Sequence, residues 1–327
     1  MSTTSSEPDD ERVAAALDAA FPDREIAEVG DAGISWNVGN RTVRVGFADG
    51  EAAFLKVATD GDGSRVVRER AVVDYVDAHC DVAVPTVLAS SADDPVPYLA
   101  TAPMSGQEFD AAWADWDRGE RVTGLERVGA TLAEVHSLAF DRHGRVVDGG
   151  ADGLVLDAGS WTEVLVATIE RKRDLAPCDR FDHLFDEVVA AVEASSGVLD
   201  CAPATLIHSD PAMPNLFWND GAVGVVDWEI AHVGDPGRDF RRAYYQSIDP
   251  LDAPDEERLV GALHDGYRRR AGSLPDGLAE RRPVYDAVWL LSTAGFFEKF
   301  VEYGDESRAE LAAWLESEME RRLDRVR

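Results

Sequence analysis

The stretch LIHSDPAMPNLFWNDGAVGVVDWE, residues 206–229, places a histidine, aspartates and asparagines among short apolar runs. The apolar runs predict short strands at 204–208, 215–218 and 222–227. Burying an unpaired carboxylate is costly, so polar groups beside such strands must find partners or carry a function. The stretch is therefore either a site or ordinary surface.

The spacing of the polar residues in this stretch favours a site. Asp210 and Asn215 are separated by four residues, His208 stands two before Asp210, and Asp227 ends the strand GVV. Phosphoryl transfer needs a carboxylate that takes the acceptor's proton, together with oxygen ligands for Mg²⁺. The pattern H-x-D-x4-N followed by a strand-terminal Asp supplies all of these groups.

A lysine in the first third of the chain extends this interpretation. Lys56 lies within the apolar strand predicted at 51–58, where it either snorkels from an edge strand or meets a charge. Glu69 falls on the apolar face of the helix predicted at 64–79, together with Val66 and Val73. Pairing of Lys56 with Glu69 would orient the lysine onto nucleotide phosphates, although Glu69 could instead meet a neighbouring arginine or solvent.

The rest of the chain predicts two unlike halves. Strands at 41–48, 51–58 and 96–103 surround the one helix at 64–79, and the segment 104–106 breaks the pattern. We therefore predict domains at 1–103 and 104–327. The second half is predicted to be mostly helical, interrupted by strands only in the quoted stretch, with helices at 120–139, 161–175, 181–194, 254–271 and 282–325, the last broken near Gly304.

Charge and composition exclude several function classes. The 327 residues carry 63 acidic and 32 basic side chains, a formal net charge of -31, and only three lysines. Such a polyanion repels nucleic acid and anionic membranes, so neither is expected as a partner. Acidity spread along the chain with few lysines favours a halophile over an acidic mesophilic protein. Three widely spaced cysteines and a polar opening predict a cytoplasmic protein without disulfides.

Several motifs resemble the aminoglycoside phosphotransferase and choline-kinase-like family. They are HSDPAMPNLF, VVDWE and GDPGRDF (residues 234–240), with FLKVA around Lys56, the helix RERAVVDYV and LAEVHSL at 132–138. The resemblance covers most of the chain and implies a protein-kinase-like α+β fold in two lobes. A small antiparallel sheet with one key helix would form the N-lobe and bind the nucleotide phosphates. The larger C-lobe would be mainly helical and carry the catalytic loop, the metal site and the acceptor.

The same resemblance implies a role for each matching residue. Asp210 would be the catalytic base, with His208 and Asp239 shaping its loop. The remaining expected roles are Asn215 and Asp227 for Mg²⁺, Lys56 for the α- and β-phosphates with Glu69 orienting it, Gly33 and Ser35 in a loop over the phosphates, and the backbone of Ala102 and Met104 at the nucleotide base.

The resemblance implies a Mg²⁺-dependent enzyme that uses ATP or GTP to phosphorylate a hydroxyl of a small molecule. An amino sugar or a choline-like amine would suit acidic surroundings, but a chain this acidic makes local acidity uninformative. VVDWE lacks the glycine of a protein kinase's D-F-G, and Ser209 stands where the family usually has glycine. The alternatives are a catalytically silent nucleotide-binding or regulatory protein and a hydrolase whose metal lies between Asp210, His232 and Asp235. Oligomeric state is left open.

Overall fold

The described residues fall into two compact units, each assembled from several stretches of chain. A computed structural model of the chain describes residues 7–32, 39–93, 95–176, 178–247, 256–304 and 306–327. The first unit is drawn from Met1–Arg118, Val146–Val155 and Met213–Ala231, and the second from Gly119–Arg145, Leu156–Ala212 and His232–Arg327. The predicted domain boundary between residues 103 and 104 stays a prediction.

The elements are numbered in chain order. The helices are α1 (Glu7–Ala20), α2 (Ser64–His79), α3 (Phe109–Asp115), α4 (Arg118–Val135), α5 (Trp161–Asp174), α6 (Asp182–Ala194), α7 (Ser196–Leu199), α8 (Pro236–Ser247), α9 (Glu256–Ala271), α10 (Leu278–Gly295), α11 (Phe297–Tyr303) and α12 (Arg308–Leu323). The strands are β1 (Ile26–Asp31), β2 (Asn40–Phe47), β3 (Ala52–Ala58), β4 (Val87–Ser91), β5 (Tyr98–Thr101), β6 (Gln107–Glu108), β7 (His143–Gly150), β8 (Gly153–Gly159), β9 (Thr205–Ile207), β10 (Leu216–Asn219), β11 (Ala222–Val225) and β12 (His232–Gly234).

An antiparallel five-stranded sheet organises the first unit, in the order β1-β2-β3-β5-β4. The alternation of the sequence decides its faces, because successive side chains of a strand point to opposite sides. Val43, Val45 and Phe47 of the strand predicted at 41–48 are buried on one side, and they share a core with Leu55. Lys56, the next residue of β3, consequently projects from the opposite face.

Helix α1 and the outer strands of this sheet are absent from the sequence prediction. Val13, Ala16 and Leu17 of α1 join the buried cluster under β3. Their 3- and 1-residue spacing is that of a helix face, but the surrounding residues are so acidic that the segment reads as a polar terminus. Strand β1 is mostly exposed, and an edge strand of this kind lacks a clear apolar alternation.

The second unit is mainly helical, as predicted. Helix α5 begins with a capping box in which the Ser160 hydroxyl and the Glu163 carboxylate each accept a backbone N–H of the other residue. Trp161 and Leu165 of α5 and Leu291 of α10 are then buried in one large apolar cluster. The predicted break near Gly304 is present between α11 and α12, and a further break separates α10 from α11.

The quoted stretch folds around a tight hairpin in the first unit. Strands β10 and β11 pair antiparallel with Asn219 opposite Ala222, so Asp220 and Gly221 form a two-residue turn. Both turn residues have positive φ, 48° and 87°, which is the Asp-Gly signature of a hairpin whose twist matches its strands.

The expectation that only this stretch carries strands in the second half is wrong. Strands β7 and β8 lie beside β12 and β9 in a four-stranded sheet of order β8-β7-β12-β9. Their sequences, RVVDGG and GLVLDAG, flank the turn residues Ala151 and Asp152, which is a hairpin signal in a stretch that lies between the helices predicted at 120–139 and 161–175.

None of the described helices combines the length and the hydropathy that a membrane span requires.

Candidate active site

The predicted pairing of Lys56 with Glu69 is present in the first unit. Lys56 Nζ lies 2.7 Å from Glu69 Oε2 and 2.5 Å from Asp227 Oδ1. Strand β3 supplies the lysine and α2 supplies the glutamate from its buried face, as the sequence predicts. The ammonium of Lys56 thus links strand β3 to helix α2 through Glu69 and to the end of the β10–β11 segment through Asp227.

Burial and charge set the protonation of this cluster. The Lys56 and Glu69 side chains are 16% and 7% exposed, whereas that of Asp227 is 38% exposed. Burial disfavours the Lys56 ammonium, but the carboxylates of Asp227, Glu69 and Glu229 hold its pKa well above the ordinary value. Burial raises the pKa of Glu69 to about 7, against the lowering effect of Lys56. The lysine is therefore a fixed positive charge among carboxylates that share it.

Glu229 belongs to the same cluster, although the sequence analysis gives it no role. Glu229 Oε2 lies 3.5 Å from Lys56 Nζ and also accepts a hydrogen bond from Asn40 Nδ2. The signal that could have revealed it is the spacing of Asp227 and Glu229, two carboxylates two residues apart directly after a buried strand. Two carboxylates this close in sequence repel one another, so their presence together indicates a functional role.

The hairpin brings Asn215 back to the segment that precedes Asp227. Val226 donates its backbone N–H to the Asn215 carbonyl at 3.0 Å, immediately beyond the last pairs of β10 and β11. Asp227 itself has a φ of 66°, a left-handed conformation that costs a residue other than glycine about 1–3 kcal/mol. Strain of this kind is concentrated at functional sites, and here it turns the Asp227 carboxylate toward Lys56.

The chemistry of these donors fits a hard divalent cation. Glu69, Asp227 and Glu229 each offer a carboxylate oxygen, and these atoms lie within 4.8 Å of one another. Magnesium prefers oxygen ligands and commonly uses one or two carboxylates beside substrate phosphates. Asp227 is the most open of the three, so it is the best placed to hold such an ion where a ligand can share it.

The second unit contains the loop that carries Asp210. Asp239, which is fully buried, accepts the backbone N–H groups of His208 at 2.7 Å and Ser209 at 2.8 Å. Burial alone would raise the pKa of Asp239, but His136 and the His208 and Ser209 groups hold it below the ordinary value. The expectation that Asp239 shapes this loop is thereby confirmed.

Ser209 occupies a conformation that normally selects glycine. Its φ is 74°, and its Oγ lies 2.9 Å from His232 Nδ1. A serine at this position is therefore a source of strain, which side-chain hydrogen bonding offsets. Asp210 follows directly, and its Oδ1 accepts a hydrogen bond from Arg242 Nε at 2.8 Å. The loop thus presents Asp210 on a strained turn, with an arginine of α8 fixing the carboxylate.

The hydrolase alternative places a metal between Asp210, His232 and Asp235, and the structure gives these residues other partners. His232 uses Nδ1 toward Ser209 and Nε2 toward Arg238, the latter at 3.0 Å. Asp235 is fully buried, where Arg281 Nε donates to it at 2.6 Å. A metal at this position would have to displace these contacts, so the geometry disfavours it.

The expected nucleotide-base and phosphate-loop residues are located as follows. Ala102 donates its backbone N–H to the Thr86 carbonyl at 2.9 Å, so this donor already has a protein partner. Met104 lies with its side-chain methyl group against Gly224 of β11. Gly33 and Ser35 lie outside the described residues, and their expected position over the phosphates stays a prediction.

These features define the class of protein: an antiparallel-sheet unit and a mainly helical unit in the α+β arrangement of the kinase-like phosphotransferases. The model of the phosphotransferase enzyme family matches residues 32–273, which is more than half of the chain. The chain belongs to the phosphotransferase enzyme family.

Solved structures show the same fold. A thermostable mutant of aminoglycoside phosphotransferase APH(4)-Ia is 16% identical, with 94% of this chain and 97% of that chain covered and a TM-score of 0.63. Macrolide 2'-phosphotransferase MphH from Brachybacterium faecium is also 16% identical, with 93% and 97% covered and a TM-score of 0.57. A candidate fructosamine-3-kinase from Thermobifida fusca is 21% identical, with 92% and 97% covered and a TM-score of 0.56. No curated protein sequence matches the chain.

Proposed function

We propose that the protein transfers the γ-phosphoryl group of ATP or GTP to a hydroxyl group of a small molecule. The observation that carries this proposal is Lys56, a buried strand lysine held at 2.7 Å by a helix glutamate and at 2.5 Å by an aspartate that ends a hairpin. A hydrolase whose metal lies between Asp210, His232 and Asp235 would not use these three residues. In phosphoryl transfer the lysine, the glutamate and the aspartate each have a role.

In the first unit, Lys56 contacts the α- and β-phosphates, and Glu69 fixes the direction of its ammonium. Asn215 and Asp227 would hold Mg²⁺, and Glu229 would stand beside them as a further carboxylate. Magnesium, when bound, neutralises charge on the phosphate oxygens. Ala102 and Met104 lie along the backbone proposed to meet the nucleotide base, and Gly33 and Ser35 belong to the loop proposed to cover the phosphates.

In the second unit, Asp210 accepts the proton of the acceptor hydroxyl as its oxygen attacks. Arg242 anchors one oxygen of the carboxylate, which limits the orientations that Asp210 can adopt. Asp239 holds the backbone on the N-terminal side of Asp210, so the base is positioned by contacts at both its side chain and its main chain.

Complexes of structurally similar proteins support a nucleotide donor. APH(4)-Ia variants are known in ternary complexes with hygromycin B and either ADP or AMP-PNP, and an aminoglycoside 2'-phosphotransferase is known with GDP. Adenine and guanine nucleotides are therefore both bound by proteins of this fold, and ATP and GTP are the two candidate donors here. We further propose a cytoplasmic location, which agrees with a nucleoside triphosphate donor and a small-molecule acceptor.

The test is transfer of phosphate to an acceptor. The protein is incubated with Mg²⁺, ATP or GTP and a library of hydroxylated small molecules, and each acceptor is examined by mass spectrometry for one added phosphoryl group. Transfer that disappears in Asp210→Asn supports the proposal. Nucleotide binding without transfer to any acceptor would favour a silent binding protein, and release of phosphate to water alone would favour a hydrolase.

A further inference from the structure

Positive side chains gather around Asp210 in a protein that is otherwise strongly acidic. Arg242 Nε donates to Asp210 at 2.8 Å, and its guanidinium lies 4.0 Å from the ring centroid of Trp289. Arg238, one helical turn earlier on α8, donates to Ser209 Oγ at 3.3 Å. Lys172 of α5, one of only three lysines in the chain, donates to Ser292 Oγ of α10 at 2.8 Å. We call Lys172, Arg238 and Arg242 the cationic cluster.

The cationic cluster is poorly neutralised. Among the residues that the structure describes, only Arg242 of the three forms an ion pair, with Asp210. Lys172 and Arg238 are half-buried, and their hydrogen-bond partners are the hydroxyls of Ser292 and Ser209 and the imidazole of His232. Partly burying a charge against neutral partners is unfavourable, and proteins rarely retain it without a purpose.

Electrostatic effects point the same way. Burial, together with Arg242 and Arg238, lowers the pKa of Lys172 to about 7 against the opposing effect of Asp210. Burial likewise lowers the pKa of Arg238 to about 10, although Asp239 partly offsets this. Asp239 lies near Arg238, but it also accepts the backbone N–H groups of the catalytic loop. The region beside Asp210 thus has an excess of positive charge.

We propose that Lys172 and Arg238 bind an acidic group, a carboxylate or a phosphate, on the phosphoryl acceptor. The acceptor is then an anionic, hydroxylated small molecule rather than an amino sugar or a choline-like amine. A guanidinium matches the paired oxygens of either group, and an ammonium adds a point charge without demanding a fixed geometry. This inference rests on the proposed function, because it takes the molecule that reaches Asp210 to be the acceptor.

The anion site is tested without any turnover by chemical labelling. Pyridoxal 5'-phosphate and pyridoxal both condense with a neutral amine through an aldehyde, but only the first carries a phosphate. Because pyridoxal also closes on itself as a hemiacetal, each lysine is described by its ratio of labelling by the phosphate reagent to labelling by pyridoxal. After labelling at pH 7, borohydride reduction and peptide mapping, this ratio is expected to be higher at Lys172 than at Lys299 by about tenfold or more, since hydrogen bonds between charged groups supply at least this much. Lys299, a lysine outside the cationic cluster, is thus the internal control.

Arg238→Gln should remove the preference at Lys172, whereas Arg325→Gln, the same change at an exposed arginine outside the cluster, should preserve it. Circular dichroism checks that both variants are folded. The same labelling ratio at Lys172 as at Lys299 would overturn the proposal, and this result needs only the unmodified protein.

Matched acceptors then connect the anion site to turnover. Glycerate is compared with glycerol, gluconate and glucose 6-phosphate with glucose, and glucosamine serves as the cationic member. The acids should have kcat/KM at least about tenfold higher, and Lys172→Gln should remove this advantage mainly through KM. The better of the carboxylate and phosphate acceptors identifies the acidic group. Preference for neutral or cationic acceptors would refute the inference. Phosphate-dependent labelling with no transfer to any acceptor would count against the proposed function and leave the anion site standing.

Discussion

Replacing Lys56 and replacing Glu69 should both impair nucleotide use but should affect stability very differently. The ammonium of Lys56 is shared by three carboxylates, those of Glu69, Asp227 and Glu229, at 2.7, 2.5 and 3.5 Å. The cluster therefore carries two more negative charges than positive ones when fully ionised. Removing the cation and removing one anion have opposite consequences for this imbalance.

The magnitude follows from the separations. Two like charges within 4.8 Å repel by about 3 kcal/mol or more at an effective dielectric of roughly 20. Lys56→Met leaves three such pairs unopposed, and relaxation limits the loss to the roughly 3–5 kcal/mol typical of breaking a buried ion pair. Glu69→Gln removes two repulsions and one attraction, so the free energy of unfolding should change by less than about 1 kcal/mol or rise.

Urea unfolding at fixed ionic strength without Mg²⁺ measures both values. Lys299→Met is the matched control for loss of a lysine outside the cluster. Mg²⁺ should restore part of the stability of Lys56→Met, because an ion bound by the carboxylates stabilises the folded state. If Lys56→Met is as stable as Lys299→Met, or if Glu69→Gln is the more damaging change, the reasoning about shared charge is refuted. For turnover, Lys56→Ala combined with Glu69→Ala should be little worse than the worse single variant, whereas additive losses would mean that the two act separately.

Three further predictions concern the loop, the cationic cluster and the net charge. Ser209→Ala and Ser209→Gly both lose the hydroxyl's hydrogen bonds, but only the alanine keeps a side chain at the φ of 74°. Urea unfolding should therefore find Ser209→Ala less stable than Ser209→Gly by roughly 1 kcal/mol. Equal stability of the two variants would exclude strain at this position. The pKa of Lys172 is about 7 because of burial and of Arg242 and Arg238, against the effect of Asp210. Labelling of Lys172 by pyridoxal should therefore increase between pH 6 and 8, as the amine loses its proton. An increase only above pH 9 would contradict this pKa. A net charge of -31 predicts a higher melting temperature in molar KCl than at low ionic strength, and coincident melts would contradict the expectation of a salt-requiring protein.

The sequence predicts the elements whose side chains alternate or repeat cleanly between apolar and polar. Helix α2 is predicted with its observed ends, and its buried glutamate is recognised because a carboxylate interrupts an apolar face. The Lys56–Glu69 contact follows from the same argument, since each residue is anomalous without the other. The pairing places both charges with little exposure of either to solvent, and the structure shows this arrangement rather than the alternatives.

The sequence does not predict contacts that depend on tertiary structure. Glu229 joins the cluster through the turn after β11, and the left-handed conformation of Asp227 that directs this turn has no glycine to mark it. Lys172 comes from α5, far in sequence from Asp210, and nothing in its helix distinguishes it from a surface lysine. The strands β7 and β8 are missed because a short hairpin between long helical segments competes poorly with the helical pattern around it.

Asp210 and Asp227 are proposed to have separate tasks, one as proton acceptor and one as metal ligand. Calorimetric titration of Mg-ATP into Asp210→Asn and Asp227→Asn, with turnover measured beside it, tests this division. Asp227→Asn should weaken Mg²⁺-dependent nucleotide binding as well as turnover. Asp210→Asn should bind Mg-ATP nearly as the unmodified protein does, while turnover falls by about 10²–10⁴-fold. Equal loss of metal-dependent binding in the two variants, or full turnover in Asp210→Asn, would contradict this division of tasks between the two aspartates.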